Sequence, residues 1–125
     1  MAVTVLAVHD DVAFLFALAL QLEPRGVALL PADSVKSAER LSSELKLRPD
    51  LLIINCKLRG TCAFAAESLQ RWPALKVAAV VSKGHRCARC RHLLDATIED
   101  SSAPEIASWR TLVLTLIHQK HMATQ

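Results

Sequence analysis

Pro49-Asp50-Leu51-Leu52-Ile53-Ile54-Asn55, with Leu58-Arg59-Gly60 close behind, is the stretch that decides the fold. Residues 51–54 are apolar without interruption. A strand with one wet face alternates polar and apolar side chains. A strand covered on both faces does not, so this run reads as an inner strand of a parallel sheet. Pro49-Asp50 punctuates its start and Gly60 the turn after it. In a doubly wound sheet the ligand crevice lies outside the carboxyl ends of the strands, which is where this reading puts Asn55.

Outward from that strand, apolar runs alternate with helical patterns along the whole chain, as in an α/β protein with a parallel sheet. Val3 to Val8 reads as a first strand, and Asp10 or Asp11 as the cap of a helix over Val12–Leu22. Pro24-Arg25-Gly26 breaks that helix, and Val27–Leu30 reads as a second strand. Ser34 is placed to cap a helix over Val35–Leu45 whose inner face holds Val35, Ala38, Leu41 and Leu45. Ala63–Trp72 reads as a third helix stopped by Pro73, and Val77–Val81 as a fourth strand ending at Ser82. A last helix runs from Pro104 to about His118, with Ser102 as a candidate cap and Ile106, Trp109, Val113 and Leu116 turned inward. Residues 1–118 form one domain, and 119–125 read as a flexible tail or the start of a linker.

At 125 residues the chain suits a single domain with a sizeable core. Its 52% apolar and 22% charged content excludes a disordered polymer. The net charge of +3 is mild and does not by itself imply nucleic acid, which usually demands a concentrated basic face. The amino terminus lacks a signal-peptide pattern, and the longest apolar run, Val12–Leu20, is too short for a bilayer span. The expected location is cytoplasmic. There, cysteines serve as thiols or metal ligands more often than as disulfides.

The order and spacing of these elements, and the Pro-Asp-Leu strand above all, resemble the receiver domains of bacterial response regulators. The resemblance spans roughly Val3 to Ile117. It implies a flavodoxin-like, CheY-like doubly wound sheet of five parallel strands in the order 2-1-3-4-5, with helices on both faces. It also implies a site at the carboxyl ends of the strands. Asn55 stands where receivers carry the aspartate that accepts the phosphoryl group. His9 and Asp10 fall on the acidic pair that binds magnesium, Asp11 on a third position that is often acidic, and Ser82 on the switch hydroxyl. Receivers end their fifth strand with a lysine, and this chain has none between Lys83 and Lys120. Either the fourth helix is shortened, or the fifth strand lies at about His92–Ala96 instead of Ala96–Asp100. An amide is a poor nucleophile toward phosphorus, and magnesium wants oxygen ligands. The resemblance therefore implies a pseudo-receiver: no enzymatic step, magnesium binding weak or absent, and phosphorylation-independent signalling through a protein partner in a two-component-type pathway.

Four cysteines form the second unusual feature. His85-Arg86-Cys87-Ala88-Arg89-Cys90-Arg91-His92 holds a Cys-x-x-Cys pair, the spacing of half a tetrahedral zinc site. Cys56 and Cys62 bracket the loop after the third strand, and in the expected fold that loop neighbours the one after the fourth. Three readings stand: ordinary small apolar side chains, a zinc site using Cys56, Cys62, Cys87 and Cys90, or a redox-responsive pair. The last two make the alternative function a metal- or redox-sensing domain.

The first helix is apolar nearly all round, and such a helix is normally covered on every side. Phe14, Phe16 or Leu20 is therefore expected in an interface with a partner or a second copy of the chain.

Overall fold

The computed structural model describes residues 3–44, 46, 48–82, 89–100 and 106–123, and of these the side chains of 82, 98–100 and 120–123 are set aside. The strands are β1 (Val3–Val8), β2 (Val27–Ala32), β3 (Leu51–Asn55), β4 (Lys76–Ser82) and β5 (Ala96–Asp100). The helices are α1 (Val12–Leu22), α2 (Val35–Glu44), α3 (Thr61–Arg71) and α4 (Ile106–Ala123), with single 3-10 turns at Glu23–Arg25 and Arg91–Leu93. The sheet is parallel throughout in the order β2-β1-β3-β4-β5, as the sequence reading expects.

All five side chains of β3 are buried, which is why its sequence does not alternate. Period-2 geometry divides the core into two layers. Val5, Ala7, Leu51, Ile53, Ala78 and Val80 point toward α1 and α4, where they meet Leu15, Leu18, Trp109 and Val113. Leu6, Val8, Leu52, Ile54, Val77 and Ala79 point toward α2 and α3, where they meet Ala38, Phe64 and Ala65. Asp50 explains the Pro-Asp start. Its backbone N–H donates to Thr4 O at 2.8 Å, and its Oδ2 accepts from Thr4 N at 2.9 Å, which fixes β3 against β1.

Several boundaries differ from the sequence reading. β2 runs through Pro31 to Ala32, because β2 is an edge strand and a proline without N–H costs it no ladder bond on the open side. α3 starts at Thr61, two residues early, because Gly60 takes φ +85° and turns the chain directly into the helix. The fifth strand is Ala96–Asp100, in register with Ala78–Ser82. Among the described residues, the stretch between β4 and β5 holds only the Arg91–Leu93 turn where receivers have a fourth helix. α4 continues past His118 to Ala123. The suggested caps hold where they are described: Asp11 Oδ1 accepts from Phe14 N at 3.0 Å and Ser34 Oγ from Ser37 N at 3.1 Å. Ser102 and Pro104 lie outside the described residues.

Candidate functional site

The carboxyl ends of β1 and β3 deliver His9, Asp10, Asp11, Asn55 and Cys56 to one edge of the sheet. His9 directly follows β1 and is buried, its ring 5.2 Å from that of Phe14. Its Nδ1 accepts the backbone N–H of Asp11 at 2.9 Å. A nitrogen that accepts this hydrogen carries none of its own, so the 3.3 Å approach of Asp10 Oδ1 to the same atom is not an ion pair. Asp10 is exposed, and Asp11 spends one carboxylate oxygen capping α1. This corner thus offers one uncommitted carboxylate, that of Asp10, and a histidine turned back on its own backbone.

Asn55 is only 4% exposed. Its Oδ1 accepts the N–H of Lys57 at 3.0 Å, an Asx turn that begins the β3–α3 loop. Its backbone O receives Leu58 N at 3.0 Å and Thr61 Oγ1 at 3.1 Å. Thr61, almost wholly buried, also lies 3.0 Å from Leu58 O, so its single hydroxyl proton is shared between two carbonyls. Sequence reasoning missed Thr61. The signal was a hydroxyl residue directly after a loop glycine, at the start of a helix. Ser82 ends β4, opposite Asp100 of β5, and its side chain is outside the description. β5 therefore ends on an aspartate where receivers carry their lysine.

Three of the four cysteines converge. Cys56 follows β3, Cys62 sits in the first turn of α3, and Cys90 begins the 3-10 turn before β5. All three stand as thiols, and their sulfur atoms lie within 4.8 Å of one another. Cys56 Sγ and Cys90 Sγ are 3.3 Å apart. Cys90 is fully buried, the other two are half-buried, and all three border the core layer under α2 and α3. Cys56 is held by its N–H to Val80 O at 3.3 Å, and Cys90 by Leu93 N donating to its carbonyl at 2.8 Å. Cys87, His85, Arg86 and Lys83 lie outside the described residues, and His92 is exposed.

The expected apolar interface divides in two. Phe14 is a core residue, 6% exposed and edge-on to Trp109 at 5.4 Å, so it is corrected from surface to core. Val12, Phe16 and Leu20 recur every four residues on the outer face of α1, 46%, 61% and 68% exposed. No helix among the described residues is long and apolar enough to cross a membrane.

No family model and no curated protein matches the chain. Solved structures do. The NtrX structure from Brucella abortus in complex with ADP superposes with a TM-score of 0.80 at 20% identity, over 99% of this chain but only 28% of that one. The CheY-like response regulator receiver domain from Methanospirillum hungatei JF-1 gives 0.79 at 15% identity, over 98% and 99%. A receiver domain from Clostridium thermocellum gives 0.76 at 15%, over 97% and 98%. The fold is that of CheY-like receiver domains.

Proposed function

We propose that this chain is a receiver-like signalling module of a two-component-type pathway that acts through protein–protein contact, without phosphoryl transfer and without an enzymatic reaction of its own. The receiver fold supports the signalling role by analogy. The observation that carries the rest is Asn55. At the carboxyl end of β3, where the phosphoacceptor aspartate of receivers stands, this chain holds a buried amide whose oxygen is engaged with Lys57 N. Phosphoryl transfer relies on positioning and on charge stabilisation by metal and lysine. Here β5 ends on Asp100 and not on a lysine, His9 turns its Nδ1 toward the Asp11 amide, and among the described side chains at the ends of β1 and β3 Asp10 is the carboxylate not spent on a cap. That donor set does not fit magnesium, a hard cation that needs several oxygen ligands in near-octahedral array. Magnesium titration followed through the backbone amides of Asp10 and Asn55 tests this part. The reading expects no saturable shift, and a saturating response at both residues contradicts it.

The contact surface in this reading is the outer face of α1. Phe16 and Leu20 expose two large apolar side chains one turn apart, an arrangement that favours a protein partner or a second copy of the chain. The mild net charge supports a protein and not a nucleic acid as partner, and the expected setting is the cytoplasm.

A further inference from the structure

We propose that Cys56, Cys62 and Cys90 form a three-thiolate zinc site at the carboxyl edge of the sheet. The three come from separate segments, the end of β3, the start of α3 and the approach to β5, so no local sequence repeat forces them together. Ordinary core cysteines have no reason to bring their sulfurs to a common point. Here the three sulfurs lie within 4.8 Å of one another, and those of Cys56 and Cys90 are 3.3 Å apart. Tetrahedral zinc with bonds of about 2.3 Å holds its sulfurs about 3.8 Å from each other. The Cys56–Cys90 separation is within about 0.5 Å of that value and no pair exceeds it by more than about 1 Å, so small side-chain rotations close the site.

Thiolates select zinc over magnesium, calcium or manganese. The local charge suits an anionic zinc–thiolate centre. Lys57 and Arg59 follow Cys56, Arg89 and Arg91 flank Cys90, all four are exposed, and no carboxylate lies within residues 56–62 or 89–92. On binding, each thiol gives its proton to solvent and its lone pair to the metal. Three Zn–S bonds form, up to three protons leave, and no oxidant or reductant is needed. The described residues supply three ligands, and a further side chain, a water or a ligand from solution would complete the tetrahedron.

The cation would tie the β3–α3 loop to the chain entering β5. Cys56 adjoins Asn55, and Cys62 adjoins Thr61, whose hydroxyl reaches Asn55 O at 3.1 Å. Zinc would thus fasten the same loop on which receivers carry their phosphoryl group. The inference rests on the sulfur geometry and stands whether or not the chain accepts a phosphoryl group.

The test uses the whole reduced chain. Zinc alone is added to metal-free protein under anaerobic conditions and read by native mass spectrometry, by proton release in weak buffer and by thermal melting. The expected result is one zinc per chain, with proton release and a raised Tm. Cobalt(II) in place of zinc should give sulfur-to-metal charge-transfer absorption. Cys62→Ser removes a half-buried ligand at little risk to the fold, as circular dichroism would verify. It should weaken zinc binding by at least roughly tenfold, since even outer-shell changes cost that much. His92→Ala should leave binding unchanged. Failure of folded, reduced protein to take up zinc overturns the proposal. So does uptake of copper(I) but not zinc, equal zinc affinity in Cys62→Ser, loss of binding in His92→Ala, or a Cys56–Cys90 disulfide that forms and persists in the presence of zinc.

Discussion

The side-chain oxygen of Asn55 accepts the backbone N–H of Lys57 at 3.0 Å, so the residue at the end of the central strand closes its own loop. An amide serves that purpose as well as a carboxylate does, and it adds no negative charge to a site with no lysine from β5 to balance it. The loop is secured a second time by Thr61, whose hydroxyl reaches the carbonyls of Asn55 and Leu58.

Thr61→Val tests that second fastening. The substitution keeps the shape and removes the side-chain donor shared by the carbonyls of Asn55 and Leu58. A loss of about 1–2 kcal/mol is expected in denaturant unfolding. Asn55 O keeps its bond from Leu58 N, so the fold should survive. An unchanged midpoint would mean that the hydroxyl adds nothing.

Gly60→Ala tests the turn into α3. A Cβ at Gly60 would meet Val35 Cγ2 at 3.6 Å, an ordinary contact, so the penalty comes from the backbone at φ +85°. The expected destabilisation is about 1–2 kcal/mol. Gly26→Ala, at φ +75° with nothing within 4 Å of the added carbon, should cost a similar amount. A much larger loss at Gly60 than at Gly26 would point to packing against α2 instead.

Trp109→Ala should be among the most damaging single changes. Trp109 is 2% exposed, meets Phe14 edge-on, and is the largest side chain joining α4 to α1. Removal should cost about 3–5 kcal/mol in thermal or chemical unfolding. A loss under about 1 kcal/mol would mean that α4 is not integral to the core.

Phe16→Asp and Phe14→Asp should behave oppositely although they are two residues apart. Phe16 is exposed, so Phe16→Asp should fold normally by circular dichroism and shift any self-association seen in gel filtration toward the monomer. Phe14 is in the core, and an unpaired carboxylate there should abolish folding. If wild type and Phe16→Asp elute alike as monomers, α1 does not pair the chain with itself.

The contrast between Phe14 and Phe16 shows where the sequence stopped being informative. β3 was legible because a covered strand has an unmistakable apolar run, and the strand order was what the resemblance to receiver domains implied. α1 was not, because a helix apolar on every side carries no amphipathic signal. Trp109, 95 positions along the chain from Phe14, settles which face turns inward. Pro31 hid the length of β2, since its tolerance there depends on β2 lying at the sheet edge. The two placements of β5 had similar apolar content, and only the ladder with β4 separates them. At the site, the substitution pattern at His9 and Asn55 could be read directly, but their hydrogen bonds to Asp11 and Lys57 could not. The approach of Cys56 to Cys90 depends on the path between β4 and β5, which no local pattern fixes.

The most direct test of the central claim is intact-mass analysis after incubation with acetyl phosphate and magnesium, on the wild type and on Asn55→Asp. The account predicts no gain of a phosphoryl mass in the wild type. It predicts none in Asn55→Asp either, because His9 still stands in the first acidic position and β5 still lacks its lysine. A stable phosphoryl adduct on the wild type would contradict the account outright. An adduct on Asn55→Asp alone would show that the loss rests on one side chain and not on the whole site.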